Sequence, residues 1–205
     1  MNEQQSDLSP ADFDDFILGL YFDINPQKGW IHAAIERAYR DTARTIYNLP
    51  KDGLERKLWK HDTFDILAKR IEKLLTSNFK DQEEFNLWHQ GACISLWFEN
   101  GELLKVGQGQ KIVNMTLKYL FFLGENRVPG ISLNYAFFHI PIDNVIQDKL
   151  YKKYGIEKLP VAWSTLDYET YHQYQKKVRE TLDGIIPMDE EFRLFNEAMR
   201  EKVVE

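Results

Sequence analysis

Three groups of residues have types and spacings that chemistry uses. The first is the run Gly107-Gln108-Gly109-Gln110-Lys111-Ile112-Val113-Asn114-Met115-Thr116-Leu117-Lys118-Tyr119-Leu120. On a helix turning about 100° per residue, Gly107, Lys111, Asn114 and Lys118 fall in a strip roughly 40° wide, while Ile112, Val113, Leu117, Leu120 and Leu123 fill the other sides. A helix this apolar is usually buried. A buried lysine needs a carboxylate or an anionic ligand, because an unpaired buried charge costs several kcal/mol. The strip therefore either lines a polar, anion-accepting pocket built from Gln108, Lys111, Asn114, Lys118 and Asp143, or forms the solvated edge of a core helix. Its paired glycines would also let a phosphate approach free backbone N–H groups.

The second group is His139-Ile140-Pro141-Ile142-Asp143-Asn144. Proline disfavours helix at Ile140, so the chain enters a new helix with Asp143 near its start. Asp143 then serves as a helix cap, as the partner of Lys111 or Lys118, or as a general base beside His139. The third group places His89 and Cys93 at i and i+4 on one helical face. That spacing fits simple packing, membership of the same polar site, two metal ligands, or a thiol activated by the imidazole. His32, His61, His139 and His172 lie at unrelated spacings, so no metal set is completed and no cofactor is implied. Tyr168, Tyr171 and Tyr174 follow a helical core face and read as packing.

These groups need a scaffold, and 205 residues at 43% hydrophobic and 28% charged composition suit one globular domain that buries a full core. The single cysteine excludes an intramolecular disulfide and a cysteine-rich metal cluster, and suits a reducing cytoplasm. No stretch approaches the ~20 apolar residues of a membrane span. The first residues have neither a basic start nor an apolar core of the secretory kind, so a cytoplasmic protein without a membrane partner is expected. The net charge of −6 resides in residues 1–25, which carry six acids and no lysine or arginine. Between Glu102 and Asp143 the only acid is Glu125, against Lys105, Lys111, Lys118 and Arg127, so a local positive field able to meet nucleic acid is a second expectation.

Helix signals recur along the chain. Ser9-Pro10-Ala11-Asp12 opens a helix whose Phe13, Phe16, Ile17 and Leu20 make one apolar face, with residues 1–8 flexible before it. Asn25-Pro26 starts another that must stop before Pro50. After a charged connection around Lys51 to Lys60, Phe64, Leu67, Ala68, Ile71, Leu74 and Leu75 keep the helical period. Asp81 starts a helix through Trp88, Cys93 and Trp97; a hairpin of Ile94–Phe98 with Leu103–Val106 is the weaker alternative. Helices over Gly107–Leu123, Asp143–Tyr154 and Ser164–Leu182, and a last one from Pro187, follow. The expectation is a mainly α single domain, residues 1–205, of about eight helices around the central helix 107–123.

The order Trp88-His89, Cys93, Gly107-Gln108-x-Gln110-Lys111, Asn114-Met115-Thr116-Leu117-Lys118-Tyr119-Leu120, His139-x-Pro141-Ile142-Asp143 and Trp163-Ser164 resembles a group of bacterial proteins to which no activity is attached. Gly109 stands where that group has alanine. Val128-Pro129-Gly130-Ile131, with Ile140-Pro141-Ile142-Asp143, is also similar to the hairpin and aspartate region of helix-hairpin-helix DNA glycosylases. That likeness implies an all-α fold and a catalytic role for Asp143, although Ser132 replaces the second hairpin glycine and no lysine stands at Leu133 or Asn134. The function expected is therefore a binding protein or small enzyme for an anionic ligand, with a protein-interaction module or a nucleic-acid-binding protein as alternatives.

Overall fold

The structure, a computed structural model, describes residues 9–23, 29–98 and 103–204. It is all helical, a single domain of eight helices with no strand among the described residues. In chain order these are α1 (Pro10–Phe22), α2 (Gly29–Thr42), α3 (Gly53–Leu75), α4 (Gln82–Phe98), α5 (Val106–Leu123), α6 (Asn144–Tyr154), α7 (Tyr168–Leu182) and α8 (Pro187–Val204). Short 3-10 turns occupy Ala43–Thr45, Tyr135–Phe137 and Trp163–Thr165. The expected flexible start 1–8, the Asn25-Pro26 signal and the turn at 99–102 lie outside the described residues.

Local chemistry sets the ends of these helices. Ser9 and Asp12 form a reciprocal capping box at α1. Asp81 Oδ1 accepts the N–H groups of Glu83 and Glu84 at α4, both at 3.0 Å. Gly155 takes a left-handed φ of 67° to end α6, where a side chain would be strained. Residues 94–98 are helical, which removes the first strand of the alternative hairpin. Asp52 caps α3, so most of the expected connection around Lys51 to Lys60 is instead the opening turns of a 23-residue helix. Its charges occupy the solvent face, which a search for apolar periodicity passes over.

Helix α5 is the axis of the molecule, and every residue from Gly107 to Leu120 is buried. It packs chiefly on α2 and α4. Fully buried Ile112, Leu117 and Leu120 each contribute about 1.5–3 kcal/mol by leaving water. The two glycines at its start serve packing, not phosphate. A Cβ on Gly107 would stand 2.2 Å from the Trp163 carbonyl oxygen, and one on Gly109 would meet the Cys93 carbonyl at 3.3 Å. The Gly107 N–H is itself taken by the Leu166 carbonyl at 3.0 Å.

Two apolar clusters result. The larger gathers α1 to α5 with Val128, Ile131, Tyr135 and Phe138; the smaller joins α6, α7 and α8 around Tyr171, Val178 and Leu194. Helix α1 corrects the sequence reading. Phe16, Ile17 and Leu20 are exposed, whereas Leu18 and Phe22 are buried, Phe22 against Trp30 and Tyr119. This helix is apolar on two sides, so periodicity alone selects the wrong one; the side chain of Phe13 lies outside the description.

Candidate functional site

Where the two clusters meet, α4, α5, α7 and the segment ending at His139 bring polar side chains together. Asn114 is at the centre of this seam and fully buried. Its Oδ1 accepts from His89 Nε2–H at 2.9 Å. Its Nδ2 donates to Tyr171 Oη at 2.8 Å and to the Gln110 side chain and the Ile140 carbonyl, both at 3.1 Å. Tyr171 in turn donates to His139 Nδ1 at 2.9 Å, and His139 Nε2–H donates to Asn86 Oδ1 at 2.9 Å. Both imidazoles are thereby fixed as neutral Nε2–H tautomers, because each Nε2 faces an amide oxygen that can only accept. Tyr168 donates to the Asn86 carbonyl at 3.1 Å, and Cys93 Sγ lies 3.7 Å from His89 Nδ1.

Burial reinforces the neutral state. It holds His89 down at about 3, and it holds His139 well below its ordinary value, with the charges of His89, Arg179 and His172 acting in the same direction. The Cys93 thiol is pushed strongly upward by the same desolvation, so His89 does not activate it. Among the described residues no group of three histidine, cysteine or carboxylate side chains could hold a metal ion.

The seam ends at His139, which is buried directly beneath a cleft. The cleft, of about 370 Å³, opens between the start of α4 and α7, with Asp81, Gln82, Glu83 and Asn86 on one side and His172, Gln175, Lys176 and Arg179 on the other. His139 is held at its floor by its neighbours. Gln175 accepts from the Ile140 N–H at 3.3 Å and donates to the Ile140 carbonyl at 2.7 Å, locking the next peptide in place. Arg179 donates to the carbonyls of Ala136, Phe137 and Phe138 at 3.0–3.2 Å, and Gln82 Nε2 joins it on Phe137 at 3.0 Å. The guanidinium keeps its charge and has no carboxylate partner among the described residues.

The strip on α5 has a different fate. Lys111 and Lys118 are both buried, so the strip is not a solvated edge. Lys111 Nζ meets Asp143 Oδ2 at 2.5 Å, with the Trp163 ring 6.0 Å away. Lys118 straddles the carboxylate of Glu191 at 2.5 and 2.8 Å, between the rings of Phe192 and Phe195. Burial raises Glu191 above its ordinary value despite the opposing charge of Lys118. Gln108 is used up by the backbone: it donates to the Thr45 carbonyl and accepts the Lys105 N–H. Asp143 also caps α6 by accepting the Ile146 N–H at 2.9 Å. His139 and Asp143 thus have separate partners, and no hydrogen bond joins them among the described residues.

Of the residues singled out from sequence, His89, Cys93, Asn114 and His139 meet in the seam, while Lys111, Lys118 and Asp143 belong to internal ion pairs. Arg179, Tyr171, Asn86, Gln82 and Gln175 escaped sequence reasoning. Only Tyr171 carried a signal there, and as packing. In the acid-poor stretch, Arg127 is bound to Asp15 at 2.7 Å, so three of its four cations are neutralised. In the Val128–Ile131 turn, the N–H groups of Gly130 and Ser132 donate to the Glu125 carboxylate at 2.5 and 3.1 Å. Comparison with protein-family models, with curated proteins and with solved structures finds no match to this chain.

Proposed function

We propose that this protein binds a small polar molecule in the cleft floored by His139. Arg179 and Lys176 receive an anionic group of that molecule, and Asp81 and Glu83 face its hydrogen-bond donors. One observation carries the reading: a buried chain of neutral hydrogen-bonding groups, His89–Asn114–Tyr171–His139–Asn86, ends beneath a cleft beside an arginine that lacks a carboxylate. A network of this kind is costly to bury unless fully satisfied, and once satisfied it holds its members in one geometry. Convergent polar groups on a rigid floor are what a ligand site requires.

The anion-accepting role therefore passes from the α5 lysines, which internal carboxylates neutralise, to Arg179. His139, neutral and with both ring nitrogens bonded to Tyr171 and Asn86, adds no charge to the cleft and fixes its floor, so the ligand's polar contacts fall to the groups around it. Thermal melts against a panel of amino acids, dicarboxylates and hydroxy acids test the proposal. At least one compound should raise the melting temperature of the wild type, and Arg179→Met should abolish that rise. A panel without effect, or a rise that survives Arg179→Met, would refute it.

A further inference from the structure

A second groove, of about 290 Å³, lies between α3 and α4 and shares no lining residue with the His139 cleft. Its walls are Ile66, Lys69, Arg70 and Lys73 from α3 and Trp88 from α4. The three cations stand at i, i+1 and i+4 of one helix, and none has a carboxylate within ion-pair distance among the described residues. The neighbouring Asp65 contacts His32 and His61, at 3.1 and 3.5 Å, and feels the charge of Lys69 without forming an ion pair with it. Arg70 lies against α4: its Nη1 is 3.3 Å from where a Cβ on Gly91 would stand, so the bare backbone there is what admits the guanidinium.

Trp88 supplies the independent observation. Its ring packs against Phe79 and Phe85, with centroids 6.5 and 5.7 Å away, which holds the indole in one place at the groove wall. The indole of Trp88 also lines the groove, setting an aromatic surface beside three cations that no carboxylate holds among the described residues. We infer that this groove binds a small aromatic phosphate ester, its phosphate held by Arg70 with Lys69 and Lys73, and its ring set against Trp88. Arginine supplies the paired donors that match phosphate oxygens, and the volume is near the lower end for ligand pockets.

Adenosine monophosphate is the probe, titrated calorimetrically into the full chain while tryptophan emission is followed in parallel. Saturable binding is expected, with a change in emission that Trp88→Phe removes. Arg70→Gln and Lys73→Gln should each weaken affinity about tenfold or more, the loss of one charge-assisted contact, and inorganic phosphate should compete. Lys73→Gln changes an exposed side chain and should melt as the wild type does; Arg70→Gln, whose guanidinium packs on α4 at Gly91, is titrated well below its own melting transition so that the affinity is read on folded protein. Arg179→Met, in the other cleft, should leave this affinity unchanged, which separates a failure here from a failure of the His139 site.

No saturation, an undiminished affinity in Arg70→Gln, or an emission change that persists in Trp88→Phe would overturn the inference. So would loss of binding in Arg179→Met. A salt-dependent affinity for single-stranded oligonucleotides without any for the mononucleotide would replace it with an extended nucleic-acid surface.

Discussion

Lys118→Met keeps the aliphatic stem and removes one charge from a pair almost wholly out of water: the lysine side chain is 7% exposed and that of Glu191 2%. The carboxylate left behind has no second cation in contact among the described residues, since Lys111, whose field also reaches it, is held by Asp143. Stranding a buried charge in this way costs about 3–5 kcal/mol. In a domain of this length that lowers the melting temperature by on the order of 10 °C. The loss must also depend on pH. Burial already raises Glu191 in the wild type, and deleting Lys118, which opposes that rise, lifts it further. A carboxyl whose folded value exceeds its unfolded one binds a proton that the unfolded chain releases. Its penalty is absent below the unfolded value and grows as pH climbs toward the folded value. The deficit of Lys118→Met should therefore be smaller at pH 5 than at pH 7. The buried histidines are common to both proteins and cancel in the difference. Urea unfolding of wild type and variant at the two pH values measures it. A deficit under about 1 kcal/mol at pH 7, or one that is larger at pH 5, would refute the reasoning. The double change Lys118→Met with Glu191→Leu should return to within about 1 kcal/mol of the wild type, because neither charge is then buried.

Lys111→Met should cost less, about 1–2 kcal/mol in the same assay, because the Asp143 side chain is 25% exposed and keeps its cap on Ile146; a loss as large as that of Lys118→Met would contradict this. His89 and His139 are held neutral by burial, so the unfolded chain takes up protons below about pH 6.5 while the folded one does not. Their stabilisation is complete above that pH and declines as pH falls, by about 2–3 kcal/mol for the pair between pH 6 and pH 5; a flat urea-unfolding profile over that interval would exclude neutral burial. Gly107→Ala drives a methyl group into the Trp163 carbonyl and should destabilise by about 2 kcal/mol or more in a thermal melt, with wild-type stability as the contrary outcome. Cys93, fully buried and with its thiol pushed upward, should resist iodoacetamide until the chain unfolds, and rapid alkylation of the native protein would sink that expectation.

Much of the fold was legible along the chain because helix ends and helix faces are written locally. The box at Ser9 and Asp12, the cap at Asp143 and the left-handed Gly155 each act within a turn or so of themselves. The apolar circumference from Ile112 to Leu123 determined that α5 is central, and burying it obliged Lys111 and Lys118 to find counter-charges. Local rules failed where one stretch allowed two answers. Helix α1 is apolar on both sides, and the face it buries was chosen by what Trp30 and Tyr119 offered.

What sequence could not supply was the identity of partners across elements. Lys111 finds Asp143, 32 residues on, but Lys118 finds Glu191, 73 residues on, from an acidic run that reads as ordinary helix-start charge. His89 and His139 lie fifty residues apart in unrelated surroundings, and only the docking of α7 against α4 and α5 sets Tyr171 and Asn114 between them. Arg179 carried no signal at all, since an arginine on an amphipathic helix is ordinary until its tertiary neighbours turn out to be carbonyls and not carboxylates. Periodicity and capping are properties of a few consecutive residues and survive in any fold. Which polar group satisfies which is decided only when the helices close on one another and exclude the water that would otherwise serve them all.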